Sequence, residues 1–159
     1  MTRSAARGFT LTEMLVTLAL LGLLASVIVP LAQVGIQRNQ ERELKLALRQ
    51  IRAALDAYKQ AVDEGHVASP ADASGYPPSL EVLVEGVPDA KDPARRTLYF
   101  LRRVPRDPMN RDETIPAAAT WGKRDYSSPH DRPREGDDIY DVYSLSPDNG
   151  LNGVPYREW

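Results

Sequence analysis

From Met14 to Ala32 the chain reads MLVTLALLGLLASVIVPLA, with no charged residue and nothing more polar than Thr17 and Ser26. An α-helix needs about 20 such residues to cross the hydrocarbon core of a bilayer, so the run predicts a membrane-spanning helix. Beyond Gln37 the pattern turns amphipathic. Leu44, Leu48, Ile51, Leu55, Tyr58 and Val62 recur at spacings of 4, 3, 4, 3 and 4, which is one stripe of a helix. Arg42, Lys45, Arg49, Arg52, Asp56 and Lys59 fall between them, on the predicted wet face. The two halves read as one helix from near Phe9 to about Val62. At about 1.5 Å per residue it would be roughly 80 Å long, well beyond one membrane thickness. Pro30 and Gly35 predict a kink or local melting, and Gly65 predicts the C-terminal stop. The stripe ends after too few heptads for a coiled coil and predicts packing against the chain's own folded part.

The remainder is punctuated by turns. SPADASGYPPSLEVLVEG (69–86) reads as an irregular turn region followed by a short helix capped by Ser79 and ending at about Val84. VPDAKDPARRTLYFLRRVPRDPMNRD (87–112) surrounds an apolar LYFL with prolines and predicts one short strand or helical turn at Thr97–Arg102, then loop. TWGKRDYSS (120–128) and DIYDVYSLS (138–146) are aromatic and β-branched, and predict strands. The resulting fold class is α+β: a long N-terminal helix with a small antiparallel sheet on the apolar face of its second half.

Composition narrows this picture. In 159 residues, 42% are hydrophobic, and the first 36 positions take a large share of them. The rest supports one small core and not two. Formal net charge is -2 with acids and bases interspersed, so there is no basic stripe of the kind nucleic-acid binding needs. With no cysteine, disulfides, thiolate metal sites and cysteine nucleophiles are excluded. Arg3 and Arg7 precede Gly8 and the apolar run follows it. A cut at Gly8 would leave the hydrophobic segment on the mature chain, unlike cleavage of an ordinary secretory signal. The two arginines place the N-terminus in the cytoplasm by the positive-inside rule.

Candidate catalytic chemistry is sparse. Asp125, Asp131, Glu135, Asp137, Asp138 and Asp141 crowd one segment, interleaved with Arg124, Arg132 and Arg134. Such a mixture reads as a solvated loop and not as an acid–base pair. His66 and His130 have no i+4 partner or neighbouring ligand set for zinc. No phosphate-cradling glycine loop and no nucleophile elbow occurs. Nothing in the sequence points to an enzyme.

One residue stands out against the apolar run. Glu13 sits at its edge, where an ionised carboxylate is expensive and therefore a pointer to function. The stretch GFTLTEMLVTLALLGLLASVIVP, Gly8 to Pro30, resembles the signature of class III leader proteins, the type IV pilins and the pseudopilins of type II secretion. The resemblance implies cleavage by a prepilin peptidase after Gly8 and N-methylation of the new N-terminal Phe9. It also implies that Glu13 of an incoming subunit meets the α-amine on a neighbour's Phe9. Opposite charges attract strongly in low dielectric but each loses several kcal/mol of hydration. The pair therefore reads as a registry device, while apolar helix packing drives bundling. Ala19, Gly22, Ala25 and Ser26 would permit close approach of helices.

Further segments resemble the G-type, major pseudopilins in particular. These are YPPSLEVLV (76–84), LRRVPRDPM (101–109), DIYDVYSLSPDNG (138–150) and a closing Trp159. Type IV pilins commonly close a C-terminal loop with a disulfide, so the lack of cysteine favours the pseudopilin branch. G-type pseudopilins hold a calcium ion near the C-terminus. Asp148 matches one ligand, but LNGVPYREW (151–159) lacks the acidic pair that supplies others. Ca²⁺ wants 6 to 8 oxygens, and Asp148, Asn149, Asn152 and backbone carbonyls offer few charges. The competing reading is a loop held by hydrogen bonds, with Asx-turns at Asp148 and Asn149. Asp148 is thus a weak calcium candidate in a divergent G-like chain.

The implied organisation is a leader at 1–8, a transmembrane and assembly helix at 9–36, and a periplasmic domain at 37–159. The implied protein is a single-pass inner-membrane precursor that becomes a structural subunit of a helical pseudopilus, a homo-oligomer in the periplasm. Its implied partners are other pseudopilins, the prepilin peptidase and the inner-membrane secretion platform. Two alternatives stay open. One is a type IV pilin or minor pilin of a surface filament used for adhesion, motility or DNA uptake. The other is a periplasmic binding or enzyme domain on an uncleaved anchor.

Overall fold

A threonine starts the long helix. Thr10 Oγ1 accepts the backbone N–H of Glu13 at 3.2 Å, and the Thr10 carbonyl accepts that of Met14 at 3.1 Å. A side-chain oxygen in this position satisfies one of the donors that a helix N-terminus leaves without an intrahelical partner. Helix α1 then runs Leu11–Asp63. The computed structural model describes residues 9–70 and 72–159, with the backbone alone at 27, 29 and 30. The helix is unbroken across positions 30 and 35, so the expected local melting does not occur. A proline removes one donor from the ladder, and the helix continues through that single gap. At the other end Gly65 takes φ 75°. Its N–H bonds to Val62 O and that of His66 to Ala61 O, both at 2.8 Å, which is the glycine stop expected there.

The chain divides into two units, one extending to Asn39 and the other Gln40–Trp159, with α1 contributing to both. In the first, every described side chain from Phe9 to Ile36 is exposed. In the second, the predicted stripe is the core. Leu44, Leu48, Ile51, Leu55 and Tyr58 are buried, Val62 is partly so, and Ala47 and Ala54 fill the space between them. They share one cluster with Leu80, Leu83, Leu101, Trp121, Ile139, Val142 and Tyr156.

The short helix differs from expectation. Helix α2 is Val82–Glu85, one turn, and the residue preceding it is Glu81, which makes no side-chain cap. Ser79 does not cap it. The chain already turns at fully buried Leu80, whose carbonyl accepts Leu83 N–H at 3.3 Å. Burial of Leu80 and Leu83 sets the start, and the cap signal at Ser79 is overridden.

Four short strands form two ribbons instead of one sheet. Strand β1 (Val87–Pro88) pairs antiparallel with β2 (Thr97–Leu98). Strand β3 (Trp121–Arg124) pairs antiparallel with β4 (Asp141–Ser144), Trp121 opposite Ser144 and Arg124 opposite Asp141. Strand β2 stops short of the predicted Arg102 because the N–H groups of Phe100 and Leu101 both donate to Leu83 O, at 3.0 and 2.8 Å. Pro88 has no N–H with which to extend β1. The β3–β4 pair matches the two strands predicted from their aromatic content, and the architecture remains α+β.

Candidate functional site

The N-terminal site is built on the first turn of α1. Phe9 lies just outside the helix and is 77% exposed. Glu13 is the third helical residue, three positions after the Thr10 cap. Its carboxylate lies near the helix N-terminus, where a negative charge meets the positive end of the helix dipole, a stabilisation of about 0.3–1 kcal/mol. Thr10-Leu11-Thr12-Glu13 is a capping-box spacing, a signal for Thr10 that the sequence reading passed over. Gly8, the other predicted cleavage residue, lies outside the described residues. Beyond Glu13 the exposed side chains include Met14, Leu15, Val16, Leu18, Leu21 and Leu24. A helix apolar on all sides is built for surroundings of lipid or of other helices. α1 is long and apolar enough to cross a membrane. The hydroxyls of Thr17 and Ser26, within the apolar run, bond back to Met14 O at 2.9 Å and Leu23 O at 2.7 Å, which hides their polarity.

The folded unit explains the Arg-Val-Pro-Arg-Asp-Pro segment. Pro105 O accepts the Trp121 indole N–H at 2.8 Å. Arg106 donates to Ile115 O at 2.8 Å and to Asp112 O, closing the loop after it. Asp107 is only 1% exposed. Its N–H donates to Thr120 Oγ1 at 3.1 Å, and its carboxylate accepts Met109 N–H at 2.8 Å and Ser144 Oγ at 2.6 Å. Burial pushes the Asp107 carboxyl up from its ordinary pKa, against the two hydrogen bonds that pull it down. The motif residues thus pin β3 and β4 to the loop.

The C-terminal loop is tied to α1 by residues the sequence reading put elsewhere. Arg52, assigned to the wet face, donates to Asp141 Oδ1 at 2.8 Å, Val142 O at 3.2 Å and Trp159 O at 2.8 Å. Lys45, from the same face, sits with Nζ 4.4 Å from the Trp159 ring centroid. Arg52 follows Ile51 directly, at the edge of the apolar stripe, and a fork-shaped cation there can reach across to backbone oxygens. Glu41, which no sequence signal singled out, accepts Leu151 N–H at 2.7 Å and Tyr156 O–H at 3.0 Å through Oε1.

The acidic segment between β3 and β4 is an ordered connection. Asp125 accepts Ser127 Oγ at 2.8 Å, Asp138 accepts Tyr126 N–H at 2.9 Å, and Asp141 also faces Arg124 at 3.7 Å. His66 Nδ1 lies 2.9 Å from Asp89 Oδ1. That contact helps hold the Asp89 carboxyl below its usual range.

Known proteins place these features together. Residues 3–29 match the model of the prokaryotic N-terminal methylation motif. The type II secretion system core protein G of Klebsiella pneumoniae is 32% identical over 84% of this chain and 91% of its own length. That of Dickeya chrysanthemi is 29% identical over 92% of this chain and 94% of its own. The chain belongs to the type II secretion system core protein G family. No solved structure matches it.

For a core protein G chain the resemblance implies calcium at the C-terminal loop, and the residues present do not fit one. Asp148 is exposed, and its backbone O accepts Tyr156 N–H at 3.2 Å. Gly150 O and Val154 O accept Gly153 and Gly150 N–H groups, at 2.8 and 2.9 Å. The Asn152 side-chain oxygen accepts Val154 N–H at 3.1 Å, which makes an Asx-turn at Asn152. These four oxygens accept N–H groups of the loop itself. Among the described residues no three His, Asp or Glu side chains gather as metal ligands would, whereas Ca²⁺ takes 6–8 oxygens.

Proposed function

We propose that this chain is a structural subunit of the type II secretion pseudopilus, made as a single-pass inner-membrane precursor. A prepilin peptidase removes residues 1–8, Phe9 is N-methylated, and the exposed apolar segment of α1 packs against the same segment of other subunits in a helical filament. The folded unit Gln40–Trp159 lies on the periplasmic side. The subunit does no chemistry; it transmits the push of assembly toward the outer membrane.

The observation that carries this reading is the capped start of α1. It presents one carboxylate, Glu13, at the head of an apolar helix exposed on every side, in a chain of the core protein G family. Cleavage after Gly8 would put a cation on Phe9, within one turn of that carboxylate. Two such ends on neighbouring subunits are complementary, and a misregistered subunit keeps an unpaired acid in lipid. The energy of bundling comes from packing, and the charge pair selects the register.

The test is the mass of the N-terminal peptide from cells with and without the prepilin peptidase. The proposal requires a methylated Phe9 terminus in the first and intact Met1 to Gly8 in the second. Retention of the first eight residues in both would leave an uncleaved anchor as the reading.

A further inference from the structure

We infer that the C-terminal loop of this chain is closed by the carboxylate of Glu41 and does not depend on a metal ion. A calcium loop works by turning its oxygens toward a shared cation. Here the polarity is reversed. Leu151 N–H and Tyr156 O–H both point at one oxygen of Glu41, at 2.7 and 3.0 Å, so donors converge on an anion. Hydrogen bonds to an ionised acceptor are stronger than neutral ones.

Four further oxygens of the loop are engaged in the same sense. Asp148 O, Gly150 O, Val154 O and Asn152 Oδ1 accept N–H groups from within the loop. Two glycines and a ring fix that arrangement. Gly153 has φ 79°, a conformation costly for other residues. A Cβ on Gly150 would lie 2.4 Å from Trp159 Cζ2, so the loop backbone lies directly against the indole. Tyr156 packs edge-on against the same indole, ring centroids 5.0 Å apart, while its hydroxyl reaches Glu41. Recruiting Ca²⁺ would mean turning this loop over and giving up the Glu41 contacts. The acidic pair that calcium-binding relatives are expected to carry is absent from LNGVPYREW, and Glu41 supplies the negative charge from α1 instead.

The full chain in detergent micelles tests this, with melting temperature and hydrogen exchange across residues 148–156 read in chelator and in millimolar calcium. Wild type should melt within about 1 °C in the two conditions and show the same loop protection. Glu41→Ala should speed exchange in the loop by about tenfold, with no recovery on adding calcium. Tyr156→Phe, which keeps the ring and removes one donor, should give a smaller increase in the same direction. Calcium that raises the wild-type melting temperature by several degrees, slows loop exchange, or rescues Glu41→Ala would overturn the inference. So would a Glu41→Ala loop that exchanges like wild type. These readouts concern the unassembled chain, so failure of the pseudopilus reading leaves them untouched.

Discussion

Arg52 Nε donates to Asp141 Oδ1 at 2.8 Å, joining α1 to strand β4 across 89 positions of sequence. The same guanidinium holds the carbonyls of Val142 and Trp159. Three carbonyl or carboxylate contacts from one planar cation make this a junction between the helix and the end of the fold.

Arg52→Ala should therefore lower stability by about 1–2 kcal/mol, a figure reduced by the partial exposure of the pair. Arg52→Lys should recover less than half, because an ammonium cannot span three acceptors in a fork. Thermal denaturation of both variants checks the order wild type, Lys, Ala; a lysine variant as stable as wild type contradicts the junction.

Asp107 gives a pH dependence of defined sign. Burial raises its carboxyl pKa in the folded chain, so its contribution is fully present below the unfolded value and lost as pH rises through the folded one. Asp89, Asp92, Asp112 and Asp125 are lowered by their hydrogen bonds and act oppositely, losing their contribution as pH falls. Asp107→Asn should gain on wild type as pH climbs from about 4 upward, measured as the difference between their melting temperatures. Asp107→Ala should cost about 2–3 kcal/mol, since it leaves the buried Ser144 Oγ and the part-buried Met109 N–H without this acceptor.

Gly86 ends α2 at φ 77° and ψ 169°, a region open essentially to glycine alone. A Cβ there would meet Leu98 O at 2.7 Å, a backbone atom fixed by the β1–β2 pairing. Gly86→Ala should destabilise the fold by about 1–3 kcal/mol, visible as a shifted urea midpoint. An unshifted midpoint would mean that the β1–β2 ribbon yields freely.

What the sequence made legible was what repeats. The stripe from Leu44 to Tyr58 marked the buried face because burial follows helical period, and the aromatic strands marked β3 and β4. Arg52 and Glu41 were missed because a charged residue on a helix looks solvated until the partner element is known. Ser79 misled because a cap signal is local, whereas burial of Leu80 and Leu83 is tertiary. The Leu83 carbonyl that shortens β2 lies on another element and leaves no trace in the LYFL pattern. Glu13 was legible for the opposite reason: an acid beside an apolar run is conspicuous without any tertiary context.

Assembly variants separate processing from packing. Glu13→Ala should leave cleavage after Gly8 largely intact and reduce filament formation severely, scored as sheared or cross-linked polymer against processed monomer. Gly8→Val should block processing far more than Gly8→Ala, because the peptidase must accommodate the residue it cuts after. Normal polymer from Glu13→Ala would remove the registry role.

The charge pair itself can be seen directly in a fibre reconstruction. The account predicts the Glu13 carboxylate of each subunit within about 4 Å of the Phe9 amine of a neighbour. A reconstruction in which these groups stand more than about 8 Å apart, or in which residues 1–8 remain attached, contradicts it.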